Sequence, residues 1–389
     1  GVLICSYEPS SGSISTAMKR VFLIFGLICL GLAAWWIGPF FTVGPSQAQM
    51  DGYRTSPQFD RAAKRFRNPV AEPEPEAGER DSFGAILADF LFPPGDRRPD
   101  EPLPEHALDA AALAEKSEAV RFAWLGHSTI LLELDGQRVL IDPVFAQRAS
   151  PVPFTATRFQ PPAWPLAALT DTVDAVVISH NHYDHLDEPS IRQLARGGAV
   201  FLVPLGVGEQ LTAWGIAADR VIELDWWDSH ALGRLTLTAT PAQHFSGRGL
   251  TDRNKTLWAS WVAAGTAGTV FFSGDSGYGP HYRAIGEALG PFDLTFIENG
   301  AYSTNWPFVH HFPEQAVQAH RDLRGRLMVP VHWGMFALGP HPWEEPAQRA
   351  AAEADRLGVD LLAPQIGQLL TIDGELPRDR WWDKLAPSR

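Results

Sequence analysis

The sequence predicts an α/β chain built as two mixed sheets packed face to face, with helices on the outside. Three observations carry this. Short apolar runs of strand length recur through residues 119–375. The early runs read as hairpins, and the later ones alternate with amphipathic helical stretches. Such elements bury one face of each sheet against the other and need helices over the remaining faces. The third observation is that polar motifs stand directly after several of these runs, where the ends of neighbouring strands converge.

Composition sets the frame. At 389 residues and 45% apolar, the chain is long enough for one large domain, or two smaller ones, with a substantial core. The net charge of -13 argues against a nucleic-acid partner, because phosphate-backbone binding needs a clustered excess of Lys and Arg. Small phosphate esters stay admissible, since a bound metal supplies local positive charge. The two cysteines, Cys5 and Cys29, both lie near the start, so the later chain has no disulfide and no thiolate ligand.

Residues 21–41 carry no charge and follow Lys19 and Arg20. The run is long enough to cross a bilayer, and Trp35 and Trp36 near its far end suit a membrane interface. Residues 1–49 are therefore expected to be an N-terminal extension, with Met18 as a natural start, leading into a membrane anchor or a cleaved signal segment. The expected location is membrane-associated, with the catalytic domain on the outer, periplasmic side. Residues 50–118, rich in Pro, Glu, Asp and Arg, read as a linker with a short apolar helix over 83–92. Residues 119–375 form the main domain, and 376–389 a C-terminal tail.

Within the domain, residues 120–124 read as a strand ending in the turn Gly126-His127-Ser128. Strands 129–134 and 137–141 are joined by Asp135-Gly136, a strong hairpin signal, and Asp142-Pro143 ends the second. Residues 173–178 form a mostly apolar strand, and Asp187-Glu188-Pro189 starts a helix. Strand 199–204, helix 206–214 and strand 220–224 follow. Residues 234–240 and 256–264 are antiparallel candidates. Strand 269–273 enters Gly274-Asp275. Helix 282–289, strand 293–297, helix 313–323, strand 327–331 and helix 346–357 come next, with strand-like pieces to 372.

The stretch from Ser179 to Asp187 places three histidines and two carboxylates on a strand-to-helix loop. Imidazole and carboxylate together suit zinc or another first-row divalent metal. His127, His244, Asp275 and His332 also follow apolar strands, so they can meet His180, His182, Asp184 and His185 in space. The count suffices for two metals. His180, His182 and His244 are assigned to one, and Asp184, His185 and His332 to the other. Asp275 bridges, because a carboxylate has two oxygens. Two ions roughly 3.5–4 Å apart hold a bridging hydroxide and clamp the attacking and leaving oxygens of a phosphoryl or acyl substrate.

The His-x-His-x-Asp-His pattern of 180–185, followed by His244, Asp275 and His332, resembles the metallo-β-lactamase superfamily. Within it, the chain is similar to the N-acylphosphatidylethanolamine-hydrolysing phospholipase D group and its bacterial relatives. The resemblance rests on Phe66-Arg67-Asn68-Pro69, Trp124-Leu125-Gly126-His127-Ser128, Ile141-Asp142-Pro143 and the opening motif. It continues through Pro241-Ala242-Gln243-His244, Leu250-Thr251-Asp252-Arg253-Asn254, Gly274-Asp275-Ser276-Gly277-Tyr278, Gly300-Ala301-Tyr302 and Val331-His332-Trp333-Gly334. It implies an αββα sandwich, two zinc ions, and hydrolysis of a phosphodiester, such as a phospholipid headgroup bond, by the bridging hydroxide. It also implies a phospholipid or other small phosphodiester as substrate, and is compatible with a homodimer. Asp184 and His310 are the expected catalytic residues. His310 lines up without gaps with a segment of the group that carries an active-site histidine, and His311 competes for that place. Glu298-Asn299 departs from the group, which has apolar or small residues there, and looks more like bacterial members.

Around the ligands, Asp142 is a candidate to hold a ligand histidine by an outer hydrogen bond, against the alternative of a simple strand-end turn. His127 is expected beside the metals rather than on them. Asp252 and Arg253 are read as a structural ion pair, with substrate contact by Arg253 as the alternative. Most tryptophans are expected in the core, a few along an apolar channel. His106, His230, His281, His320 and His341 fit no ligand spacing and are expected at the surface or at helix caps. The competing functions are a lactonase or carboxylic-ester hydrolase of the ascorbate-6-phosphate lactonase type, and a non-catalytic metal-binding module.

Overall fold

The computed structural model describes residues 44–71, Ser82, Gly84 and residues 95–386. The expected membrane or signal segment over 21–41 and most of the expected helix over 83–92 lie outside the described residues. Among the described residues, no helix is long and apolar enough to cross a membrane.

Two seven-stranded sheets form the body. The first contains β3 (Arg121–Trp124), β4 (Ile130–Leu134), β5 (Gln137–Ile141), β6 (Ala175–Val177), β7 (Val200–Pro204), β8 (Val221–Leu224) and the late strand β16 (Leu369–Thr371). Its order is β16-β3-β4-β5-β6-β7-β8, antiparallel as far as β5 and parallel beyond. The second contains β9 (Ser229–Leu232), β10 (Leu235–Thr240), β11 (Ser260–Ala264), β12 (Thr269–Phe272), β13 (Phe292–Glu298), β14 (Gly325–Val331) and β15 (Asp360–Leu361). It too begins as an antiparallel meander, through β12, and turns parallel for β12 to β15. A small hairpin, β1 (Phe59–Asp60) with β2 (Arg65–Phe66), precedes both.

The period of two in each strand explains the layers. In β4, Ile130, Leu132 and Leu134 join the cluster between the sheets, whereas Leu131 points to the outer helices. In β12, Val270 and Phe272 face inward and Phe271 outward. The rings of Phe122 and Phe296 meet edge-on across the two sheets, 5.3 Å apart. One outer layer packs helices Glu188–Leu194 and Gly208–Ala213 on the first sheet. The other packs His281–Leu289, Pro313–Asp322 and Glu345–Leu357 on the second. The last of these ends at Gly358, whose φ of 66° is the left-handed cap that glycine adopts at least cost. The two sheets with outer helices are the α/β sandwich expected from the sequence.

Three expectations change. The described part of the expected linker is folded: Tyr53, Phe59 and Phe66 are buried in the central cluster, with the Phe59 and Phe66 rings 5.1 Å apart. The expected tail packs as well, because Trp381 stacks on Trp333 at 5.4 Å and Trp382 is buried beside it. In both places a few large aromatic side chains outweigh a polar, Pro-rich composition, since each removes a large apolar area from water. His281 and His320 are buried rather than superficial, on the inner faces of their helices.

Candidate metal centre

The polar residues stand where strands end. β6 runs into His180, β10 leads to His244, β12 to Asp275 and β14 to His332. β3 leads to His127, and β5 to Asp142. Three of these residues, His127, Asp142 and His332, hold left-handed backbone with φ of 54°, 41° and 68°. Each costs about 1–3 kcal/mol, and such strain gathers where geometry serves a site. Gly274, with φ of 56°, brings Asp275 in close: a Cβ on it would lie 2.7 Å from Ser179 Cβ.

Two groups of ligand atoms result. His180, His182, His244 and Asp275 offer atoms that all lie within 4.8 Å of one another, and so do His127, Asp184, His185 and His332. In the first group, His182 Nδ1 stands 2.8 Å from His180 Nε2 and 3.2 Å from His244 Nε2. Asp275 reaches both groups. Its Oδ2 lies 3.8 Å from His180 Nε2 and 3.7 Å from His244 Nε2, and its Oδ1 lies 3.1 Å from both His185 Nε2 and His332 Nε2. Asp184 Oδ2 stands 3.2 Å from His332 Nε2 and 3.4 Å from His185 Nε2.

Electrostatics tests whether this donor set fits a metal. Burial holds His180 and His244 well below the usual histidine range and His182 at about 4, so all three are neutral at pH 7. The neutral imidazole is the ligating form. Their nitrogens crowd one point, with His182 Nδ1 between His180 Nε2 and His244 Nε2. His185 Nε2 and Asp275 Oδ1 are buried without a hydrogen-bond partner. In the second group, burial pushes His332 down, but Asp275 and Asp184 outweigh it and raise the ring to about 10. Burial likewise opposes the charge on Asp275, and the His185 and His332 rings more than offset that, so its carboxyl falls well below the usual range. Compact clusters of buried carboxylate and imidazole fit divalent ions, and a cation in the second group would replace the protons held there.

Outer contacts orient the rings. Asp142 Oδ2 accepts from His185 Nδ1 at 2.7 Å and from Ser179 Oγ at 2.6 Å, and its Oδ1 accepts the Ser179 N–H at 2.7 Å. Ser179 Oγ also lies 2.9 Å from His180 Nδ1. His244 Nδ1 donates to the Val309 carbonyl at 2.9 Å. His127 sits beside Asp184, with Nε2 3.1 Å from Oδ2. Arg248 clamps the motif loop from behind, donating to the Leu186 carbonyl at 2.6 Å and the Asn181 carbonyl at 3.0 Å.

A pocket of about 250 Å³ opens against the first group, lined by Phe245, Arg253, Trp306, Phe308, Val309 and His310. Phe245 packs on the His182 ring at 4.5 Å and on the His244 ring at 4.7 Å. Arg253 lies over the Phe245 ring at 4.3 Å, and Asp252 accepts the backbone N–H groups of Arg248 and Gly249. Of the two neighbouring histidines, His310 lines the pocket, while His311 is fully buried against Tyr282. His310 also offers a ring nitrogen within 4.8 Å of the donor atoms of Asp275 and His332. The structure thus brings together His127, His180, His182, Asp184, His185, His244, Asp275, His310 and His332, with Asp142 behind His185. Sequence reasoning missed Ser179, Phe245 and Arg248 as parts of the site. Ser179 had one available signal, its place between an apolar strand and the first histidine.

Comparison with known proteins agrees with this geometry. Residues 137–333 match the family described as the beta-lactamase superfamily domain. An uncharacterized protein of Mycobacterium tuberculosis is 45% identical over 311 residues, which cover 78% of this chain and 82% of that one. N-acyl-phosphatidylethanolamine-hydrolyzing phospholipase D 1 of Caenorhabditis elegans is 38% identical over 254 residues, covering 62% of this chain and 70% of that one. Among solved structures, the metallo hydrolase Igni18 of Ignicoccus hospitalis shares the fold with a TM-score of 0.51 at 23% identity, covering 66% of this chain and 99% of that one.

Proposed function

The chain belongs to the beta-lactamase superfamily as a metal-dependent hydrolase, and from that membership we propose that it is a two-zinc phosphodiesterase acting on a glycerophospholipid-like diester. The observation that carries the two-metal reading is the division of the Asp275 carboxylate, one oxygen toward His180 and His244 and the other toward His185 and His332. His180, His182 and His244 would hold one ion, and Asp184, His185 and His332 the other, with Asp275 shared. Two such ions supply an acidified water at neutral pH and positive charge for the phosphate oxygens.

The chain's own residues do the rest. Asp142, Ser179 and the Val309 carbonyl hold the ligand rings in register, so little reorganisation remains at the moment of reaction. Asp184, held between His127, His185 and His332, keeps the substrate-facing side of the second group ordered. Arg253 and His310 line the pocket that adjoins the centre, where a guanidinium and an imidazole suit an anionic phosphate. Phe245, Trp306 and Phe308 give that pocket an apolar wall, which suits the carbon skeleton of an ester. Similarity to the nematode N-acyl-phosphatidylethanolamine-hydrolyzing phospholipase D supports this choice of substrate class. Membrane association through residues 21–41, with the catalytic domain on the outer side, belongs to the same proposal.

The test is metal analysis of the purified protein combined with a substrate panel. About two zinc ions per chain and turnover of N-acylphosphatidylethanolamine are expected. Turnover of sugar lactones without phospholipid turnover would reassign the chain to ester hydrolysis at the same centre. Fractionation of cells producing the full chain should place it with membranes.

A further inference from the structure

β10 ends at Thr240, and His244 stands in the loop beyond it, past the hydrogen-bond ladder of the sheet. The acceptor for its backbone N–H is a side chain from far upstream, Asn68 Oδ1, at 2.9 Å. The preceding residue is held by the same segment. Gln243 Oε1 accepts the Val70 N–H at 3.1 Å, and Gln243 Nε2 donates to the Val70 carbonyl at 2.8 Å. The far end of the loop is held too, because the Phe66 N–H donates to the Asn254 carbonyl at 2.8 Å. Residues 66–70 thus clasp both ends of the stretch 243–254. That stretch carries one ligand, His244, and two pocket residues, Phe245 and Arg253.

The clasp has a fixed origin. Phe66 is buried, with its ring 5.7 Å from Tyr53 and 5.1 Å from Phe59, which anchors the hairpin in the core. Asn68 follows closely, and Pro69 restricts it to extended backbone. On its other side the loop is tied to the segment after Asp275. The Gln243 N–H donates to Ser276 Oγ at 2.9 Å, and the Gly277 N–H to the Gln243 carbonyl at 2.8 Å. Clasp, His244 and Asp275 therefore belong to one hydrogen-bonded series. The backbones of His185 and His332 are held elsewhere, donating to the carbonyls of His182 and His127. Residues 66–70 also lie outside 137–333, the stretch that matches the superfamily domain. We infer that Asn68 is a positioning residue for His244, and that the ion of His180, His182 and His244 binds at full affinity only with residues 66–70 clasped in place. This rests on the two-metal reading above. Asn68 acts through the His244 backbone, so its loss weakens one ion and spares the other.

Zinc affinity in one-ion backgrounds tests this. The full chain is titrated with zinc against a chelator in two backgrounds: His332→Ala, which keeps the first ion, and His182→Ala, which keeps the second. In the His332→Ala background, Asn68→Ala should weaken zinc binding about tenfold or more, the loss typical of an outer contact to a ligand. In the His182→Ala background it should change nothing. Asn68→Asp keeps an oxygen acceptor in place and should bind the first ion at least as tightly as Asn68 does. A general role in folding gives an equal loss in both backgrounds. That result, no loss in the first background, or an Asn68→Asp loss as large as that of Asn68→Ala would overturn the inference. If Asn68→Ala does not fold by circular dichroism, Asn68→Ser is read in its place; if neither folds, Asn68 serves the fold and the inference falls. Wild-type protein that takes up only about one ion removes the two-metal reading instead. The inference then stands if Asn68→Ala weakens that ion and falls if it does not.

Discussion

The His185 ring is gripped from both sides: Nδ1 donates to Asp142 Oδ2 at 2.7 Å, while Nε2 lies 3.1 Å from Asp275 Oδ1. Asp142 is fully buried, and burial raises its carboxyl above the usual range despite the donors around it. That arrangement orients a ligand ring and raises its basicity. Asp142→Asn keeps the shape and weakens the acceptor, so metal affinity should fall about 10–100-fold. Competition against a chelator, with circular dichroism as the control for folding, measures it. Unchanged affinity would reduce Asp142 to a strand-end turn residue.

Asp275 and His332 should separate by stoichiometry. Asp275→Asn disturbs both groups, and His332→Ala only the second. Atomic spectroscopy should therefore find His332→Ala short of about one ion and Asp275→Asn short of more, with hydrolysis abolished in both. Full activity in either metal-depleted protein would refute a shared two-metal centre.

Arg253 presents a guanidinium at the pocket mouth, over the Phe245 ring. A hydrogen bond to a charged group contributes about 1.5–3 kcal/mol, so Arg253→Ala should raise KM by about tenfold or more for an anionic phosphodiester. Its kcat should change little, because binding of ground state and transition state is lost alike. A fall in kcat at constant KM would place Arg253 in the chemistry instead.

Much of the site is legible in the sequence because ligands sit at strand ends. His180, His244, Asp275 and His332 each follow an apolar run, and parallel strands in a sheet deliver such ends to one edge. The sandwich follows from the same runs, as Leu131 and Leu132, on opposite faces of β4, are both buried. What stayed hidden depends on tertiary neighbours. Glu298 looked like a mere departure from a family pattern until the loop before helix Pro313–Asp322 brought His310 to it. Phe245 has no periodic signal, since it lies in a loop whose position is set by Arg248 and Asp252. The burial of Trp381 and Trp382 was hidden because the surface they cover is assembled from Trp333 and residues far upstream.

His320 makes the fold sensitive to acid. Its ring is buried on helix Pro313–Asp322, with Nδ1 2.8 Å from Thr295 Oγ1. Gly325 presses on it so closely that a Cβ there would come within 2.4 Å of the ring. Burial lowers its pKa to about 4, although Asp360 pulls the other way. In the unfolded chain the ring titrates near 6.5. Between those values the unfolded state binds more protons than the folded one, so stability is intact above pH 6.5 and declines as pH falls toward 4. By pH 4.5 the loss from this one group is about 2 kcal/mol. Metal ligands also titrate in that range, so the quantity to measure is the stability difference between wild type and His320→Gln at each pH. Urea unfolding at pH 7 and 4.5 should show that difference shifting by about 2 kcal/mol in favour of the variant at the lower pH. A difference that stays constant would mean the ring takes up its proton in the folded state, as an exposed histidine does.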